Sequence, residues 1–414
     1  MSKIIFTLIL VIFTVSSVNT SAQEIREVGR FDTPDMAYGV DVSGNFAYVA
    51  DGDSGLRVID ISDLENPIEV GFCNTQDNAH KVFVEGEYAF IADEEGGLRI
   101  IDISDPEDPM EIGFYNTGNA WGVFITGDYA YVADILGGLR VINMTDKENP
   151  AEIGYFDTPG GGCSVFISDN YAYLADYHLG LRVIDISDPT SPRLIGTCDT
   201  PGLAVDVAVW GDYAYIADNN SGLRIINVSD IENPEEVSFF ETQGAVWCVY
   251  AFYDYVFFTD MPGGLHVINI SEPHNPREVG FFELLGTSWD ITFMDNYAYI
   301  ANGSFGIRIF NLSEIAGIDY DLHYSIPTKF YLLEAYPNPF NARTVINFEI
   351  PVSSYISLKI VNMSGIEVAE LVNGQIAEGR YSISWNVNDL PTGVYFARIA
   401  TSNITKTLIM TLVR

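Results

Sequence analysis

A four-residue pattern, aromatic, apolar, Ala or Thr, then Asp or Asn, returns seven times along this chain, and nothing else restricts its fold as tightly. Tyr48-Val49-Ala50-Asp51 recurs at Phe90 to Asp93, Tyr131 to Asp134, Tyr173 to Asp176, Tyr215 to Asp218, Phe257 to Asp260 and Tyr299 to Asn302, with a period of 41 or 42 residues. A segment like Tyr38-Gly39-Val40-Asp41-Val42 precedes each copy. A Gly-containing loop, a run such as Leu56-Arg57-Val58-Ile59-Asp60-Ile61, a polar turn and a run such as Ile68-Glu69-Val70-Gly71-Phe72 follow it. Alternating apolar residues, Gly/Asp/Asn hairpin signals and the absence of helical periodicity predict four short antiparallel strands per repeat. Four strands in roughly 40 to 45 residues is the arithmetic of a β-propeller blade.

An open solenoid is the competing repeat architecture, and the repeat boundaries decide against it. The seventh copy stops after Ile307-Arg308-Ile309-Phe310-Asn311 without a fourth strand, while Ile25 to Phe31 reads as a fourth strand without a repeat. Joined, the two halves make one blade and close a ring that leaves no repeat needing a cap. The expected fold is all-β, a seven-bladed propeller closed by its N-terminal strand.

Residues 1–22 read as a secretory leader. Lys3 supplies the positive start, Ile4 to Val15 the apolar run, and Thr20-Ser21-Ala22 the small residues of a cleavage site. No later stretch holds the roughly 20 apolar residues of a membrane-spanning helix, so the chain is not expected to span a membrane. The four cysteines, Cys73, Cys163, Cys198 and Cys248, occupy repeat positions too far apart to bridge and are expected as free thiols.

Leu-Arg-Val-Ile-Asp-Ile in repeats of this length resembles the LVIVD-repeat family of bacterial surface propellers, over residues 24 to about 316. That resemblance implies the fold and carries over no catalytic residue. Beyond an expected linker at 317–329 the composition changes. Residues 330–414 hold six acidic and six basic side chains, whereas residues 23–329 hold 51 and 13, so the whole excess of 38 negative charges belongs to the expected propeller (23–316) and its linker. Period-two alternation between turn residues predicts a small Ig-like β-sandwich for 330–414. Its opening Tyr336-Pro337-Asn338-Pro339-Phe340-Asn341, the central Gly365 and the closing Gly393-Val394-Tyr395-Phe396 resemble the type A sorting domain of the type IX secretion system. The resemblance implies Sec export by the leader, then passage of the outer membrane through the type IX machinery, with the propeller released or anchored outside the cell.

Comparing the seven copies with one another separates structural from functional candidates. Asp51/Arg57, Asp93/Arg99, Asp134/Arg140, Asp176/Arg182 and Asp218/Arg224 recur six residues apart and are expected as hydrogen-bonded structural pairs. Asp51-Gly52-Asp53-Ser54-Gly55 has only a loose likeness to a calcium loop and lacks its remaining carboxylates, so no metal or other cofactor is assigned. Thirteen residues before each repeated Asp or Asn stand Tyr38, His80, Trp121, Cys163, Val205, Trp247 and Trp289, which propeller geometry places around one mouth of the central channel. The aromatic members, Tyr38, His80, Trp121, Trp247 and Trp289, are the ligand-binding candidates, with packing between blades as the alternative.

Three functions follow. The first is a binding module for an extracellular protein or polysaccharide. The second is a glycan-active hydrolase or lyase using Asp35, Asp77, Asp206 or Asp290, against which no nucleophile–base pair or metal cluster stands out. The third is a structural surface-layer component. Nucleic acid is excluded as a partner by the acidic charge.

Overall fold

The computed structural model describes residues 25–313 and, further on, 331–336, 343–350, 354–362, 366–376, 379–387, 390–400 and 405–413. The expected leader, the linker, and Pro337, Asn338, Pro339, Phe340, Asn341 and Gly365 of the sorting motif lie outside the described residues.

Alternation along the repeated runs dictates how the propeller packs. In the first blade, Gly39–Ser43, Phe46–Ala50, Leu56–Asp60 and Ile68–Cys73 form one antiparallel sheet, with Tyr48 opposite Val58 and Val49 opposite Arg57. Tyr48, Ala50, Leu56 and Val58 point one way and join Val82, Ile91 and Ile101 of the second blade. Ala47, Val49 and Ile59 point the other way and join Tyr299, Ile307 and Ile309 of the seventh. Each blade is therefore apolar on both faces, which is why its central strands read as nearly unbroken apolar runs. Seven such clusters, one at every blade boundary, form the propeller core.

The seventh sheet is composite: Asp290–Met294, Tyr297–Ala301 and Ile307–Asn311 are completed by Arg26–Phe31, which pairs antiparallel with Ile307–Asn311. Arg308 makes a two-pronged ion pair across this seam, with Nε 2.9 Å from Glu27 Oε1 and Nη2 on Oε2. Glu27 occupies the repeat position of Glu69, Glu111 and Glu236, so the N-terminal strand brings with it the acid that other blades carry internally.

Blades also meet where backbone approaches backbone. A Cβ on Gly71 would stand 2.2 Å from the Pro106 carbonyl of the next blade, and one on Gly29 would stand 1.7 Å from that of Leu64. Only glycine permits that contact, and the fourth strand bulges there.

The C-terminal region forms two sheets. Tyr331–Tyr336, Arg343–Ile350 and Gly379–Asn386 make one; Glu367–Ile376, Ser354–Asn362, Gly393–Ala400 and Thr405–Leu412 make the other. Ile346, Phe348 and Trp385 of the first pack with Leu358, Ile360, Tyr395 and Ile399 of the second, the shared core of a β-sandwich. Among the described residues no helix is long and apolar enough to cross a membrane.

Glu27→Gln leaves the half-buried Arg308 without its carboxylate and is expected to lower unfolding stability by about 1 to 3 kcal/mol. The exposed-site control Glu232→Gln is expected to change it by less than about 0.5 kcal/mol. Equal urea midpoints for the two variants would contradict the role given to the seam ion pair.

Candidate functional site at the channel mouth

The inner strands decide which side chains face the propeller axis. In three blades the register slips between Ala120 and Gly122, Gly162 and Ser164, and Val246 and Cys248, leaving Trp121, Cys163 and Trp247 as extra residues. Such a bulge lets two consecutive residues face the same way. Both the ring position and the one after it line one cavity at the mouth, which includes Tyr38, His80, Lys81, Trp121, Asp206 and Trp289.

The five aromatic candidates touch in an arc of adjacent blades, from the third through the second, first and seventh to the sixth. His80 is stacked between Tyr38, at 5.0 Å between ring centres, and Trp121, at 4.4 Å. Trp289 meets Tyr38 edge-on at 5.1 Å and lies 4.5 Å from Trp247. All five are half-buried, and they fill the mouth where an open aromatic ring was expected. The cavity left to them is about 40 Å³, space for water but not for a sugar ring. Burial, and then the Lys81 ammonium, push the His80 imidazole down to about 4, so it is neutral at physiological pH.

Behind the aromatic layer lies a charged one. Lys81 of the second blade places Nζ 2.5 Å from Asp290 Oδ1 of the seventh. Asp290 Oδ2 accepts the Val40 N–H of the first blade at 3.0 Å, and Asp206 Oδ2 of the fifth accepts the Val249 N–H of the sixth at 2.9 Å. Burial alone would push the lysine down, but the Asp290 and Asp206 carboxylates outweigh it and hold the ammonium above the usual lysine range. Asp206 is pushed up by its own burial, against the pull of Lys81. Two residues further along the inner strands a second aromatic layer follows, with Phe124 5.1 Å from Phe83 and 5.3 Å from Phe166.

This arrangement separates the four carboxylates considered for hydrolysis. Asp35 and Asp77 lie in surface loops, where Asp35 accepts the Asp53 N–H at 2.9 Å and Asp77 the Glu95 N–H at 3.0 Å. Asp206 lines the channel cavity beside Lys81, whose ammonium Asp290 also holds, and that cavity is too small for the two-carboxylate chemistry of glycan cleavage.

The repeated acids tie loops together. Asp51, Asp93, Asp134 and Asp218 accept backbone N–H groups of Asp35, Asp77, Asn119 and Gly202, in the loops that enter their own blades. Asp176 accepts the Thr158 hydroxyl at 2.8 Å. Their arginines stand at ion-pair distance in four blades: Arg57 at 3.9 Å, Arg99 and Arg182 at 3.3 Å, and Arg224 at 3.5 Å. Of these only Arg182 has hydrogen-bond geometry to its Asp. Arg140 departs from the expected pairing and reaches Asp157 at 3.2 Å, while Asp134 takes the Leu136 N–H instead. Four of the guanidinium groups cover fourth-strand rings: Arg57 over Phe72, Arg99 over Phe114, Arg140 over Tyr155 and Arg224 over Phe239. The calcium-like loop has Asp51 and Asp35 already engaged with backbone amides, and among the described residues no His, Cys, Asp and Glu side chains cluster as a metal site. All four cysteines are free thiols.

In the sixth blade His266 takes the arginine position, 3.0 Å from Asp260 and 2.6 Å from Glu278. Burial alone would lower its pKa, but the hydrogen bonds to those two acids outweigh it and raise it above 6.5. A raised folded-state pKa contributes stability that is complete below about 6.5 and is lost as pH rises through the folded value. His266→Arg, restoring the repeat residue, is expected to abolish that loss, so the difference in Tm between pH 6 and pH 9 shrinks relative to the parent; an unchanged difference would refute the assignment. Lys81→Met leaves Asp290 and Asp206 facing each other without a cation and is expected to cost about 3 to 5 kcal/mol, part of which Lys81→Met/Asp290→Asn recovers. A double variant no more stable than the single one by urea denaturation would count against the charged layer as a coupled unit.

Sequence profiles and solved structures agree with this architecture. The profile described as LVIVD repeat matches residues 35–75, 77–117, 118–158, 159–200, 201–242, 243–283 and 285–313. The profile described as a secretion system C-terminal sorting domain matches 334–411, which marks the chain as a secreted protein of the type IX route, bound for the cell surface or beyond. No curated protein matches the chain in sequence. Similar solved structures include the WD40 β-propeller domain of Doa1 (12% identity, 71% of this chain and 100% of that one, TM-score 0.59). The computationally designed Ika8 protein is similar at 9% identity (92% and 98% covered, TM-score 0.53). PorZ, an essential bacterial surface component of the type-IX secretion system of Porphyromonas gingivalis, is similar at 13% identity over 93% of this chain and 60% of that one, with a TM-score of 0.52. At these identities the likeness is one of fold. With seven matched repeats that together span more than half of its length, the chain belongs to the LVIVD-repeat family.

Proposed function

We propose that the propeller is a binding module, carried past the outer membrane by its sorting domain, that recognises an extracellular protein or polysaccharide through the channel-mouth face. The difference between the two faces of the disc carries this reading. On the opposite face every blade repeats one capped turn. Asp60, Asp102, Asn143, Asp185, Asn227, Asn269 and Asn311 each accept the N–H two residues ahead, from Ser62, Ser104, Thr145, Ser187, Ser229, Ser271 and Ser313. At the mouth no two second-to-third-strand loops agree: Gly52-Asp53-Ser54-Gly55, Glu94-Glu95-Gly96-Gly97, Ile135-Leu136-Gly137-Gly138 and Tyr177-His178-Leu179-Gly180 differ in charge, size and polarity.

Loops that vary over a rigid, repeated scaffold are where recognition is usually built. The mouth also exposes apolar side chains that the scaffold does not need, with Leu136 77% and Leu285 68% accessible. A purely structural role gives no reason for that asymmetry. Because the aromatic layer fills its own mouth, the ligand rests on the loops around it and not in the channel.

The test is capture of the full-length protein on immobilised surface polysaccharide and outer-membrane protein extract of the producing bacterium. Leu136→Arg and Leu285→Arg on the mouth face are expected to reduce capture at least tenfold, with Glu107→Arg and Glu232→Arg on the opposite face changing it less than twofold. Equal effects from both faces, or none from either, would overturn the proposal.

A further inference from the structure

One sector of the mouth face, running from the seventh blade through the first to the second, is divided into an apolar and an acidic half. The sector is continuous. Gly303 of the seventh blade is bridged to Ala37 by two backbone hydrogen bonds of 3.1 Å, and a Cβ on Gly303 would stand 3.1 Å from the Met36 side chain. Asp35 in turn accepts the Asp53 N–H, and Gly52 is bridged to Ala79 of the second blade. At the apolar end Leu285 and Phe305 are exposed, the first to 68%. At the other end stand Asp35, Asp53, Asp77, Glu94 and Glu95.

Those five carboxylates lie in adjacent loops of one sector and, unlike the acids paired with the repeat arginines, have no cation. The rim acids are matched: Glu69 with Arg57 at 3.7 Å, Glu111 with Arg99 at 3.5 Å, Glu236 with Arg224 at 3.4 Å, and Glu27 with Arg308. Lys81, four residues after Asp77, is turned into the channel against Asp290. Among the described residues no Lys, Arg or His lies at ion-pair distance from the five. Burial, and then the charges of Asp77, Asp93, Glu95 and Asp53, push Glu94 up, and Tyr38 between the two halves is raised by burial, Glu94 and Asp35. Glu94 also sits at a φ of 39°, where the equivalent residues Gly52 and Gly303 of the first and seventh blades are glycines. The chain thus holds an acid at a position that favours glycine, beside four others that repel it.

We infer that this sector docks a cationic polypeptide segment, with an apolar residue seated on Leu285 and Phe305 and Lys or Arg side chains laid along the acids of the first and second blades. The inference rests on the mouth face being the binding face and names the chemistry of its occupant. The apolar half selects a polypeptide over a simple polyamine, because a polyamine offers nothing to Leu285. The acidic half selects against a neutral polysaccharide. A segment of this kind gains Coulomb energy that falls with salt and a smaller apolar contribution that does not.

The experiment measures fluorescence anisotropy of the full-length protein with two labelled 12-residue peptides, one Leu-Phe-Leu followed by Lys and Ser in alternation, the other with Ser replacing the apolar triplet. Asp53→Asn/Glu95→Gln is expected to weaken both peptides at least fivefold at 50 mM salt. The opposite-face pair Glu107→Gln/Glu232→Gln, which removes the same charge, is expected to weaken them less than twofold. Leu285→Ser is expected to weaken only the peptide with the apolar triplet, and that peptide is expected to retain more of its affinity at 200 mM salt. Equal losses from the two charge pairs would reduce the attraction to net charge and overturn the inference, as would no binding by either peptide. If envelope capture depends on Leu136 yet ignores Asp53→Asn/Glu95→Gln, the mouth face stands as the binding face and the cationic occupant falls. If no mouth variant affects capture, the face itself is wrong.

Discussion

A propeller blade with two apolar faces is stable only between two neighbours, so everything in this molecule depends on closing the ring. The pairing of Arg26–Phe31 with Ile307–Asn311 does so. Without it the third strand of the last blade would present an unpaired edge and the cluster around Tyr299 and Ile309 would lose Val28 and Phe31. The N-terminal strand also brings the Glu27 carboxylate to Arg308 and the Gly29 backbone to the first blade, the same contacts that other blades make through Gly71 and Gly113. Closure thus reproduces at the seam what the repeat makes elsewhere, using residues about 280 positions apart in sequence.

The channel shows how the ring uses its axis. Burying a lysine and two aspartates is costly unless each charge is paired and hydrogen-bonded. Here the second, fifth and seventh blades supply the three charges. Both aspartates also accept an amide across a blade boundary, Asp206 from Val249 and Asp290 from Val40, as Asp41 does from Val84. Those bonds fix neighbouring inner strands in register, and the charges join blades that do not touch in sequence order. With aromatic rings on both sides of it, the charged layer leaves only a small cavity at the mouth.

The fold was legible because period-two alternation and a 42-residue repeat are local signals that tertiary context amplifies. The composite last blade could be read from its missing strand, and the five aromatic residues from their shared repeat position. Their mutual stacking could not, since contact between inner side chains of adjacent blades depends on the ring radius and on inner-strand bulges such as the one at Trp121, neither of which has a sequence signature. The charged layer left a usable clue: Lys81, Asp206 and Asp290 occupy one repeat position with complementary signs. Reading Asp206 and Asp290 beside Asp35 and Asp77 as carboxylates of a single face missed that the two pairs stand four repeat positions apart, a difference that moves a side chain from a loop to the channel. Arg140 shows the limit of repeat logic in another way, because Ile135-Leu136 in its loop replaces Gly52-Asp53 of the first blade and the Leu136 N–H takes the acid that the arginine would have met.

A mouth filled by aromatic side chains changes what binding can mean for this propeller. Ligands of an open channel are selected by depth and volume, whereas here selection is left to loops whose bases are fixed by buried acids and whose tips are free to differ. Asp51, Asp93 and Asp218 hold those loops through backbone amides, so a loop's outward side chains can change without disturbing its anchor. That division explains why the mouth face tolerates a glutamate at a left-handed backbone position in one blade and an exposed leucine in the next, while the opposite face repeats the same capped turn seven times.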